Sequence, residues 1–169
     1  MEYFYGENRP YLPDAKAVDA YQEEIKKEMQ EVSEKLQELS KLPYNEEGAW
    51  ATVGDLHYGH PSTPLILRLR ALMWMHNHPP DPRGEPMFSR PGPYTVYVRR
   101  EDFADILPFD IRTIDRMLAH VREETGIRPY GKITVTLFCT LHNIPEDKIQ
   151  QQLHELVLKR LKKHKSMDE

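Results

Sequence analysis

Between Asp14 and Pro43 an apolar residue returns every third or fourth position: Val18, Tyr21, Ile25, Met29, Val32, Leu36 and Leu39, with Glu, Lys and Gln filling most of the rest. That period matches an α-helical turn and predicts a helix over 15–41, capped by Asp14 and striped along one face. Val18, Ile25, Val32 and Leu39 are also spaced by seven, the repeat of a coiled-coil seam. The stripe therefore suits either the chain's own core or a homodimer through the helix at 15–41. After a loop, "TPLILRLRALMWMHNH" predicts a helix over about 63–76, with Ser62 or Thr63 as cap and Pro64 in the first turn. It is apolar on most sides, with Arg68 and Arg70 reaching out. Alternation around those two arginines leaves a strand as the other reading.

The pattern breaks at residues 79–93, "PPDPRGEPMFSRPGP", which hold six prolines. No helix or central strand survives that density, so a Pro-rich linker is predicted between an N-terminal helical region, 1–78, and a second unit, 94–169. Beyond it "YTVYVRR" alternates with a period of two and predicts a strand over 94–99, with "ITV" at 133–135 as its partner in a short two-stranded ribbon. The Tyr-rich first thirteen residues predict a surface lead, and "LKRLKKHKSMDE" a helix fraying into a solvated basic end. The fold class that follows is mainly α.

Composition changes this picture little. The 169 residues are 39% hydrophobic and 30% charged, which suits one compact domain or two small ones. No apolar stretch reaches the length of a membrane span and the start lacks the features of a secretory signal, so the expectation is a cytoplasmic protein with no membrane partner. Cys139, the single cysteine, is expected as a small buried hydrophobe. Charge matters more. Residues 1–93 carry 10 Lys/Arg against 15 Asp/Glu, or −5, and residues 94–169 carry 13 against 12, or +1. Neither is the strongly basic footprint of bulk nucleic-acid binding, so any DNA contact must rest on local placement of Arg and Lys.

Eight histidines raise a metal question, centred on "HYGH" and "HNHPPDP". The second stretch resembles part of the His-x-His-Pro motif of zinc-dependent MPN-type hydrolases and of a related bacterial family associated with DNA repair. That resemblance implies an aspartate ligand eleven positions after the second histidine, where this chain has Ser89, and no Glu stands out as a water-activating base. No phosphate loop, nucleophile elbow or zinc cysteine pair occurs either. The expectation is a non-catalytic protein with no metal and no cofactor.

"EDFADILPFDIRTIDRML", residues 101–118, carries the functional reading. A helix-turn-helix needs a small residue where its helices cross, a turn four positions later, and apolar residues at plus five, ten and thirteen. Ala104, Phe109, Ile114 and Met117 fill the small and apolar positions, while the turn position holds Pro108, which cannot adopt the usual left-handed conformation. A second helix capped by Asp110 and running to about Thr125 then buries Ile111, Ile114, Leu118 and Val121, with Met117 beside them, and frees Arg112, Thr113, Arg116 and His120. A weaker copy follows at "TVTLFCTLHNIPEDKIQQQL", with Cys139 as the small residue, Asn143 at the turn, then Ile144 and Ile149.

The tandem units, short strand and basic tail are similar to small helix-turn-helix accessory regulators of bacterial mobile elements, over residues 94–162. The resemblance implies DNA binding without catalysis. Arg112, Thr113, Arg116 and His120 are then the expected base-facing residues, and Lys159, Arg160, Lys162 and Lys163 the phosphate contacts. The same mixed-charge helices also suit a protein–protein adaptor that binds no nucleic acid.

Overall fold

The computed structural model describes residues 12, 14–41, 49–77 and 96–168, with side chains to residue 165. The predicted linker at 79–93 and nearly all of the lead lie outside the described residues. The chain is mainly α. In order along it come α1 (Ala15–Leu39), β1 (Ala51–Val53), β2 (Leu56–Tyr58), α2 (Thr63–Asn77), α3 (Arg100–Ile106), α4 (Ile111–Thr125), α5 (Val135–His142) and α6 (Glu146–Asp168). Among the described residues, no helix is long and apolar enough to cross a membrane.

The apolar stripe of α1 lies along α2, and Ile25 is completely buried, with Tyr21 and Val32 nearly so. Of the four residues considered for a coiled-coil seam, Ile25 and Val32 are thus taken up inside the chain, while Val18 and Leu39 are half-buried. A cap predicted from sequence holds its start: Asp14 Oδ1 accepts the Ala17 N–H at 2.8 Å. α2 is the central helix and packs against α1, α4, α5 and β2. Its two arginines reach neighbours rather than water, Arg68 pairing with Glu28 of α1, and Arg70 donating to Asp55 and, at 2.6 Å, to the Leu141 carbonyl.

β1 and β2 form an antiparallel hairpin with Ala51 opposite Tyr58 and Val53 opposite Leu56. Its two-residue turn is Gly54-Asp55, with Gly54 at φ +60 and the Asp on the negative side, the arrangement of a type II′ hairpin turn. A Cβ at Gly54 would stand 1.8 Å from the His142 carbonyl oxygen, so glycine serves both the turn and the close approach to α5.

The ribbon predicted from 94–99 and 133–135 has the right partners and is shorter than expected. Tyr97 and Thr134 form one antiparallel bridge, flanked by Val98 N–H to Ile133 O at 2.7 Å and Val135 N–H to Val96 O at 2.9 Å. It stops there because both segments run straight into helices: Arg99 is the N-cap of α3, and Thr134 caps α5 by accepting the Leu137 N–H.

One continuous core joins the two ends of the chain. Ile25, Val53 and Leu67 from the N-terminal part share it with Met117, Val121, Phe138 and Ile149 from the C-terminal part. At its centre His142 is fully buried, stacked on Phe138 at 4.2 Å, with Nδ1–H donating to the Phe138 carbonyl and Nε2 accepting from the Tyr58 hydroxyl at 2.6 Å. That single hydrogen bond ties β2 to α5.

Candidate nucleic-acid interface

The corner within residues 101–118 is a helix–turn–helix in the literal sense, with α3 packed on α4 and Phe103, Ala104, Ile114 and Met117 joining the core. Its turn differs from the left-handed form. Leu107 is extended, and the Phe109 N–H bonds back to the Leu107 carbonyl at 2.8 Å, closing a tight three-residue turn around Pro108. Proline's fixed negative φ suits that turn. Asp110 then accepts the Thr113 N–H at 2.8 Å and starts α4; that hydrogen bond holds its carboxyl below the ordinary range. The second copy adopts the expected turn: Asn143 is left-handed at φ 53, α5 is almost entirely buried, and Ile149 seats the start of α6.

α4 buries Ile114, Met117, Leu118 and Val121 and turns Arg112 and Arg116 outward one turn apart, while Ile111, expected in the buried stripe, is exposed because it stands in the first turn beyond the reach of the core. Arg112 is exposed. Arg116 is exposed too, but its guanidinium lies 4.0 Å over the Trp50 ring, which fixes its direction. Thr113 is half-buried, its backbone engaged by the cap. His120 is not free: it is half-buried, with ring centroids 6.1 Å from Trp50 and 5.9 Å from Tyr58. The face expected to be fully open therefore has a flank covered by Trp50, immediately before β1.

The expected phosphate contacts sit on α6, whose side chains from Lys159 to Lys165 are all exposed. Arg160 among them reaches α3, pairing with Asp102 at 2.7 Å and Asp105 at 3.3 Å. The Asp102 hydrogen bond raises its already high pKa, making Arg160 a clamp between α6 and α3. Beside this row Val157, Leu158 and Leu161 are exposed apolar residues, Leu161 at 57%.

Sequence reading missed a second cationic group on the other flank of α4. A groove of about 890 Å³ runs between α3, α4 and the turn at 128–131; it is lined by Arg99, Arg100, Arg122 and Lys132 together with Glu101, Asp115 and Glu123. Arg100 pairs with Asp115 at 2.9 Å, and Arg122 donates to the Gly131 carbonyl at 2.8 Å. Burial lowers the Arg122 pKa. The signal was present as "VRR" at the end of the strand and "IRPYGK" before the next one.

Nothing in the described residues gathers three His, Cys, Asp or Glu side chains for a metal ion. His60 bonds Ser62 and His57 bonds Thr52, while His78 and Ser89 lie outside the described residues. Cys139 is buried as expected, and burial pushes its thiol up to about 12, far from a reactive thiolate. No family model, curated protein or solved structure matches the chain.

Proposed function

We propose that the chain is a non-catalytic DNA-binding protein of accessory or regulatory type, acting in the cytoplasm, in which α4 lies in the major groove and presents Arg112, Thr113 and Arg116. The observation that carries this reading is the division of α4: one face locked into the core, and two arginines a turn apart on the opposite ridge near the helix start. Arg is the side chain that pairs bidentately with guanine edges, and a fixed inner face keeps the ridge in register. The Trp50 ring holds Arg116 ahead of binding, which lowers the ordering cost of a contact. Lys159, Lys162 and Lys163 on α6 are the phosphate contacts in this reading, with Arg160 retained by α3.

The adaptor reading has one observation of its own, the exposed Val157, Leu158 and Leu161 on α6, which suit a protein partner better than a phosphate strand. One experiment separates the two. Selection from a random duplex library should enrich a sequence, and titration at two salt concentrations should give a slope of roughly −2 to −4 in log K against log salt. Arg112→Ala with Arg116→Ala should cost about 2 to 5 kcal/mol on the enriched site. No enrichment, together with equal binding by the double variant, leaves the adaptor.

A further inference from the structure

Among the described residues, Tyr130 and Asn143 alone combine a side chain with a positive φ, and Tyr130 is the bulky one. It follows Pro129 in the turn closed by the Gly131 N–H to Arg128 O hydrogen bond, at the corner that glycine or asparagine ordinarily fills, with φ +64. A bulky aromatic there is strained, and its side chain recovers nothing from the core, because Tyr130 is 94% exposed. The turn beneath it is nonetheless firmly held. Ile127 is buried and its N–H bonds Arg122 O at 2.9 Å, while Arg122 grips the Gly131 carbonyl. A rigid turn thus carries an aromatic ring out at the rim of the groove beside α4.

We propose that this groove seats one sugar–phosphate strand of the DNA that α4 reads, with Tyr130 packing on its sugars and Arg99, Arg100 and Lys132 meeting its phosphates; the inference rests on the DNA reading above. Three features favour that occupant. The groove runs along the flank of α4 next to its exposed ridge, where the backbone bordering a major-groove contact must pass. Arg99 has a 71% exposed side chain, its carboxylate neighbour Asp102 is 3.9 Å away, and Asp102 already binds Arg160. Lys132 lies 5.1 Å over the Tyr97 ring, which holds its ammonium at the groove wall. Of the three acids, Asp115 is engaged by Arg100, leaving Glu101 and Glu123 as the opposing charges.

The test uses the full chain and a labelled random-sequence duplex, with binding read by anisotropy. Tyr130→Gly relieves the backbone strain, so its urea midpoint should equal or exceed that of the wild type while affinity falls about fivefold or more. A merely structural tyrosine would move both in the same direction. Arg99→Ala and Lys132→Ala should each reduce the salt slope by about 1, and Glu101→Gln should tighten binding. If the wild type binds and the Tyr130→Gly and Lys132→Ala variants bind equally with an unchanged slope, the groove is not a strand seat and the α4 reading stands alone. If the wild type binds no duplex, both fall together.

Discussion

His142 shows how one residue can set the conditions under which the protein holds together. Burial drives its pKa down from 6.5 to about 4, with the Phe138 hydrogen bond opposing only part of that shift. The folded state therefore keeps a neutral imidazole where the unfolded chain would take up a proton. The resulting stability is intact above about pH 6.5 and is lost progressively as pH falls towards 4, on the order of 3 kcal/mol over that span. Urea midpoints at neutral and mildly acidic pH should show the loss, and His142→Gln should abolish its steep part; a slope surviving in that variant would assign it to another group. Gly54 is the neighbouring constraint. Gly54→Ala should destabilise by about 2 to 4 kcal/mol in urea unfolding, because the turn needs positive φ and the new methyl meets the His142 carbonyl. An Ala variant as stable as the wild type would mean that the hairpin shifts at no cost.

At the level of elements, the two helix–turn–helix corners are closed by different turn chemistry, and substitutions should tell them apart. Pro108→Gly should destabilise by about 0.5 to 1 kcal/mol, since it frees a residue whose native φ proline already supplies. Asn143→Ala should cost about 1 to 2 kcal/mol because φ is positive there, whereas Asn143→Gly should be nearly neutral. Thermal unfolding of the three variants checks the contrast; a stabilised Pro108→Gly would contradict the tight turn around that proline. The helices were legible in the sequence because their periods and caps are local: Asp14, Asp110 and Asn143 all act where the sequence placed them. The hairpin was missed although "ATVGDLHY" alternates on both sides of a Gly-Asp pair, since three-residue strands give periodicity too little length to register. The covered flank of α4 was not legible at all. That Trp50 would meet Arg116 and His120 depends on how the hairpin packs, and no spacing along the chain encodes it.

For the whole molecule, the shared core changes what the proline-rich segment can separate. Trypsin cutting after Arg83 should give two pieces that remain together in gel filtration, because Arg70 to Leu141 and Tyr58 to His142 both span the cut. Urea should part them, and pieces that separate without denaturant would mean the core contacts are weaker than their burial implies. Replacing Ile25 and Val32 with Asp belongs to the same logic: both are buried, so the change attacks the α1–α2 contact and with it the fold. The interlock of Gly54 and Tyr58 with His142 carries one more consequence. The C-terminal helices are not a cassette that can be lifted into another protein. α5 has six buried residues among eight, and part of its floor is the hairpin from the first third of the chain. Cut away from that floor, Phe138, Leu141 and His142 become an open apolar wound, so a transplant of α4's arginines must carry the hairpin and α2 with it.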